Sequence, residues 1–226
     1  MKDLGEADII LGMKFKRINN EIAINLTNSI EKILKKFEYF DLNPVSPPFD
    51  HSSHLIKNLR ESVRQLEYFQ GIESLLYVAN RTHPDIAYAV GRLSWYTSNP
   101  SEKYWKVLER VFRYLKGTVD YSLLFFSYLE MLEGYSDANW MTDNLDVKST
   151  IGYLFMFRGG TVSWGSCKQI IISRSMLESE LTALDTTYTE AQWLKDLIKD
   201  IEILSFKIFV VPINCDCKAL IDLLNQ

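Results

Sequence analysis

The stretch from Ser175 to Ile201, SMLESELTALDTTYTEAQWLKDLIKDI, reads as one long amphipathic helix. Leu177, Leu181, Leu184, Tyr188, Ala191 and Leu194 form its apolar stripe. A strand-like segment lies on either side, EMLEGYSDANW upstream and KIFVVPINCD downstream. A helix between two strands of one sheet acts as a crossover, which returns the chain parallel to the strand it left. The strands ending near Asp137 and at Asp216 are therefore predicted to be adjacent and parallel. TIGYLFMFRGGTVSWGS, which precedes the helix, reads as an antiparallel hairpin over 149–165 that turns at Gly159-Gly160. CKALIDLLNQ starts a further helix. This order of elements is α/β.

The first half has a different grammar. IILGMKFKRINNEIAINL is two apolar runs around Asn19-Asn20 and predicts a hairpin. TNSIEKILKKF predicts a short helix capped by Thr27, with Ile30, Ile33, Leu34 and Phe37 facing inward. DLNPVSPPFDHSSHLIKN carries no periodicity and reads as a connector. Three helices follow, YFQGIESLLYVAN, HPDIAYAVGRLSWYTS and SEKYWKVLERVFRYLKG, the last running from a Ser101 cap to a stop at Gly117. The chain is expected to be α+β overall, with a mainly helical unit over 1–128, a mixed sheet with helices over 129–226, and the boundary within 125–133.

With 226 residues, 47% of them hydrophobic and 24% charged, the chain has room for one large or two small domains and the material for a core. No apolar run reaches the roughly 18 residues of a membrane span. MKDLGEAD lacks a signal-peptide core and reads as the middle of a domain, so a fragment is expected. Cys167, Cys215 and Cys217, an odd set, suit reduced thiols in an intracellular protein, cytoplasmic or nuclear, with no membrane partner. A zinc site made of Cys215, Cys217, His51 and His54 is disfavoured, because CxC is not the usual spacing and FDHSSHLIKN reads as a polar loop. The net charge of −4 argues against a generally basic nucleic-acid binder, but not against a local strip. Lys103, Lys106, Arg110 and Arg113 form such a strip, beside the apolar Trp105, Leu108, Phe112 and Leu115. It is either a solvated helix face or a helix laid along a phosphate backbone.

Three acids carry the functional reading. Asp137 and Asp216 lie near strand ends, where α/β sheets place their ligands. On the long helix, Glu180 falls roughly 50° from the centre of the apolar stripe and Glu178 roughly 110°. Glu180 is thus expected to border the sheet and Glu178 to face water. Converging carboxylates repel one another, and a divalent cation with a preference for oxygen, Mg²⁺ or Mn²⁺, relieves the repulsion. Metal held by acids at the end of a sheet suits phosphodiester hydrolysis. The same residues have plainer uses, with Asp137 capping a turn, Asp216 as the N-cap of the last helix and Glu180 as a surface acid.

GYSDANW, STIGYLFMFRGGTVSWGSCKQ and SRSMLESELTAL resemble the ribonuclease H domain of copia-class retrotransposon polyproteins. DLGEADIILGMKF, LLYVANRTHPDIAYAVGRLS and RVFRYLKGT resemble the end of the reverse transcriptase in the same polyproteins, its thumb and connection region. The resemblance covers essentially the whole chain, in order. It implies a nuclease that degrades the RNA strand of RNA·DNA hybrids with two Mg²⁺ or Mn²⁺ ions, within a larger Pol polyprotein. It implies Asp137, Glu180 and Asp216 as catalytic metal ligands, and Lys103, Lys106, Arg110 and Arg113 as contacts to nucleic acid.

Several positions depart from the family pattern. The Tyr-Val-Asp-Asp strand of the polymerase is absent, so no polymerase activity is expected. The family's TRPDI is THPDI here, with His83 in place of an arginine, and His83 reads as a loop residue. Leu177 stands where a small or polar residue is usual. The family's fourth acid would lie past Gln226, which implies that this chain alone cleaves hybrids weakly or not at all. A catalytically dead nucleic-acid-binding remnant of a mobile element is the alternative.

Overall fold

Two turns whose residues have positive φ set the first sheet. Asn19, at φ 54°, reverses the chain between β2 (Met13–Ile18) and β3 (Glu21–Asn25), as the Asn-Asn pair predicts. Leu11 and Gly12, at φ 51° and 78°, add a tight turn that hydrophobicity did not reveal, and it pairs β1 (Ile9–Ile10) with β2. With β4 (Leu123–Phe126) the sheet has four strands in the order β1-β2-β3-β4, where only a hairpin was expected. The computed structural model describes residues 7–50, 55, 57–127, 131–140, 148–201 and 210–224. It divides into two compact units, Met1–Leu124 and Phe125–Gln226. The boundary expected at 128/129 falls outside the described residues.

The first unit is built on α1 (Thr27–Lys36), α2 (Gln65–Ala79), a 3₁₀ turn over Pro84–Ile86, α3 (Ala87–Ser94) and α4 (Glu102–Gly117). Leu34, Tyr68, Leu75, Leu93, Leu108 and Phe112 meet in its core. Thr27 is not the cap of α1. Leu26 holds that position, and the Thr27 hydroxyl donates to Asn25 Oδ1 and the Val119 carbonyl, each at 3.2 Å. His83 is a core residue and not a loop histidine. It lies 1% exposed, with Nδ1 at 2.9 Å from the Thr82 hydroxyl. Burial lowers its pKa below the ordinary imidazole value, against the opposing pull of Asp85 and of the Thr118 carbonyl.

The second unit is a mixed sheet in the order β7-β6-β5-β8. β5 (Leu132–Asn139) pairs antiparallel with β6 (Thr150–Phe157), and β6 with β7 (Gly160–Lys168). The turn residues are Arg158 and Gly159, at φ 53° and 75°, one position earlier than the Gly-Gly pair suggested. α5 (Met176–Asp200) then crosses over, and β8 (Ile213–Cys215) pairs parallel to β5, matching Gly134 to Ile213 and Ser136 to Cys215. The expected parallel pair is present, with different limits. β5 continues past Asp137 to Asn139, and β8 is three residues long. Of the longer strand expected there, 207–209 lies outside the described residues and 210–212 is not strand. α6 (Lys218–Leu224) follows.

Close packing of β5 on β6 depends on a missing side chain. Phe155 lies opposite Gly134 and is fully buried. A Cβ at Gly134 would come within 2.5 Å of the Phe155 ring. Gly134→Ala is expected to destabilise this unit by about 1–3 kcal/mol, the usual cost of overpacking. Chemical denaturation checks this, and an unchanged midpoint would contradict it.

Candidate metal centre

α5 starts from Ser175, whose Oγ accepts the Glu178 N–H at 3.2 Å. Glu178 Oε2 accepts the Arg174 N–H at 2.7 Å, so the two side chains cap the helix together. The Glu178 carboxylate is therefore spent on the helix end and is half-buried, where full exposure to water was expected. A buried amide fixes the same turn. Gln169 Nε2 donates to the Ser179 carbonyl at 2.9 Å and to Ser179 Oγ at 3.2 Å, while the Ser173 hydroxyl donates to Gln169 Oε1 at 2.6 Å. Gln169 thus positions the residue preceding Glu180, a role no periodicity announced.

Toward its C-terminal end α5 buries Ala191 and Leu194 as predicted, but its first half turns a different face to the sheet. Ser179, Glu180, Ala183, Thr187, Ala191 and Leu194 are buried, whereas Leu181 and Tyr188 are 44% and 61% exposed. Small side chains let the helix backbone approach β5, and the Thr187 hydroxyl donates to Ser136 Oγ across the contact at 3.0 Å. Glu180 consequently sits inside the buried face and not at its border.

Its surroundings follow from where β8 stops. The Gly134 N–H donates to the Pro212 carbonyl at 2.8 Å, so the N–H groups of alternate β5 residues point toward β8. The parallel ladder ends at Ser136 opposite Cys215, leaving the Ala138 N–H beyond it, and Glu180 accepts that N–H. Glu180 is 1% exposed, and among the described residues its Oε2 has no hydrogen-bond partner. Burial, reinforced by the charges of Asp137 and Asp216 and opposed by the Ala138 N–H, pushes its pKa up to about 7.

Ligand atoms of Glu180, Cys215 and Asp216 lie within 4.8 Å of one another. Asp137 stands outside that set, on the face of β5 opposite Ser136 and Ala138, although its charge is felt at Glu180. Among the acids the structure brings Glu180 and Asp216 together. Cys215, which the sequence offers only as half of a CxC pair, joins them, and His51 and His54 lie outside the described residues. A buried carboxylate oxygen without a partner, facing a second carboxylate, is a donor set that fits a divalent cation.

The basic strip belongs to the first unit. Lys103 and Lys106 are exposed. Arg110 Nε donates to the Pro47 carbonyl at 2.9 Å and Arg113 Nε to the Asn43 carbonyl at 2.8 Å. Both arginines therefore pin the connector to α4 through backbone carbonyls that its irregular conformation leaves without ladder partners.

The sequence is 35% identical over 232 residues to the retrovirus-related Pol polyprotein from transposon TNT 1-94 of Nicotiana tabacum, with 99% of this chain matched. It is 30% identical over 204 residues to the Pol polyprotein from transposon RE2 of Arabidopsis thaliana, with 90% of this chain matched. The chain belongs to the Pol polyproteins of copia-type retrotransposons. This Pol segment spans 17% of the tobacco relative and 14% of the RE2 relative. Part of it, 58%, is also 41% identical to the secreted RxLR effector protein 161 of Plasmopara viticola, over 94% of that protein. No protein-family model matches the Pol segment, and no solved structure is significantly similar to it. Among its described residues, no helix is long and apolar enough to cross a membrane.

Proposed function

We propose that the second unit is a ribonuclease H-type nuclease, which hydrolyses the RNA strand of an RNA·DNA hybrid with Mg²⁺ or Mn²⁺. The observation that carries this reading is the Glu180 carboxylate, 1% exposed with an unpartnered oxygen, facing Asp216 at the end of a parallel strand pair. Leaving such an oxygen without a partner costs stability unless a ligand meets it. Glu180 and Asp216 are the groups that would hold the cation. Asp137 adds negative charge from β5, in the position that the family resemblance gives to the first catalytic acid. A bound divalent ion activates water and stabilises the leaving oxygen. The Ala138 N–H holds Glu180 in place, and Gln169 fixes the turn that carries it.

The test is cleavage of a labelled hybrid in Mn²⁺, with Asp216→Asn alongside. Slow loss of the RNA strand that disappears in the variant supports the nuclease. Equal rates in the two proteins, zero included, leave the binding remnant as the better reading.

A further inference from the structure

Glu180 and Asp216 face a sulfur. The Sγ of Cys215 lies within 4.8 Å of a ligand oxygen of each acid. A site reserved for Mg²⁺ would be lined by oxygen alone, because a hard ion gains little from a thiolate. Two carboxylates and one thiolate, with an open fourth position, match instead the three-ligand pattern of open zinc sites. A tetrahedral ion with bonds of about 2.0–2.3 Å holds its ligands roughly 3.5 Å apart, so a side-chain movement of about an ångström closes the set. Asp216 is exposed and Cys215 half-buried, so both have room to make that movement. The sulfur is also oriented, since the Cys217 N–H donates to Cys215 Sγ at 3.4 Å.

An independent feature points to a cation in the same place. The Glu180 carboxylate, one of these three groups, is buried, and its Oε2 has no hydrogen-bond partner among the described residues. A bound cation would satisfy the oxygen without adding bulk.

We propose that Glu180, Cys215 and Asp216 form a site for a thiophilic divalent cation, Zn²⁺ being the natural occupant. On binding, the thiol of Cys215 releases its proton to solvent and its sulfur becomes the third ligand beside the two carboxylates. The site shares its acids with the proposed nuclease and rests on that reading only for the competition this creates. Zn²⁺ and Mg²⁺ exclude one another there, so a thiophilic metal acts as an inhibitor set by metal supply.

Cd²⁺, which reports sulfur ligation through an ultraviolet charge-transfer band, is the probe. Titration of the intact chain is expected to produce that band and to saturate at a single ion per chain. Cys215→Ser is expected to lose the band, Cys167→Ser and Cys217→Ser to keep it, and Glu180→Gln to weaken Cd²⁺ binding by at least about tenfold. Excess Mg²⁺ should lower the apparent Cd²⁺ affinity. Far-ultraviolet circular dichroism establishes that each variant is folded. Should Cys215→Ser fail to fold, the Glu180→Gln and Cys217→Ser titrations decide the matter. No band in the wild type, a band that survives in folded Cys215→Ser, a band lost in Cys217→Ser, or no effect of Glu180→Gln would overturn the proposal. Failure of the nuclease reading is told apart from this, because the band needs no hybrid and hybrid cleavage needs no sulfur.

Discussion

Replacing Glu180 with glutamine is expected to stabilise the metal-free chain near neutral pH and above, by on the order of 2 kcal/mol. Burial and the neighbouring acids raise the native carboxyl pKa to about 7, against the ordinary carboxyl value of 4.5. A raised pKa means that the folded protein binds the proton more tightly than the unfolded chain does. The stability contributed by this group is therefore fully present below the unfolded pKa of 4.5. It is lost as pH rises through about 7, where a buried charge must be carried beside Asp137 and Asp216. Glutamine imitates the protonated form, since its Oε1 can still accept the Ala138 N–H. The wild type should thus weaken between about pH 4.5 and pH 7, and the variant should not. Thermal unfolding across that range, in a chelating buffer, checks the sign. A variant less stable than the wild type at about pH 8 would show that Glu180 has a favourable partner when ionised.

The second large effect concerns chemistry. Asp216→Asn is expected to reduce metal-dependent cleavage of RNA·DNA hybrids by at least about a hundredfold, since loss of a ligand weakens both ion binding and water activation. Glu178→Gln, two residues before Glu180, should leave the rate within about twofold and cost no more than about 0.5 kcal/mol of stability, because glutamine Oε1 can still accept the Arg174 N–H and only the charge at the helix N-terminus is lost. Rates measured at saturating Mn²⁺ separate the two roles. Equal losses in both variants would mean that Glu178 also belongs to the centre, or that both substitutions act through folding.

Chain order and strand pairing were legible in the sequence because they rest on period. Alternation exposes a strand, and a long helical segment between two strands makes them parallel. The buried face of α5 was legible only at its C-terminal end, where Ala191 and Leu194 are buried as the apolar stripe predicts. In the first half hydrophobicity pointed to Leu177, Leu181 and Tyr188, while the helix packs through Ser179, Ala183 and Thr187, more than a quarter turn away. A helix that approaches a sheet closely needs small side chains, and these carry little hydrophobic signal. Glu180 was singled out all the same, but for the wrong geometry, as a border acid and not an interior one. Cys215 was missed as a neighbour of the acids because its place depends on β8 ending at that residue, which no local propensity encodes. The arginines of α4 were read by charge alone. Their partners are backbone carbonyls some sixty to seventy positions away, Pro47 and Asn43, in a segment without periodicity.

A nuclease centre here requires that Glu180 and Asp216 together hold a divalent cation. Calorimetric titration with Mn²⁺ of the wild type, Glu180→Gln, Asp216→Asn and Glu178→Gln measures this without any nucleic acid present. Measurable binding is expected for the wild type and for Glu178→Gln, with a loss of at least about tenfold in affinity in each of the other two. Mn²⁺ affinity unchanged in Glu180→Gln would contradict this, for the unpartnered buried oxygen would then have no part in binding metal.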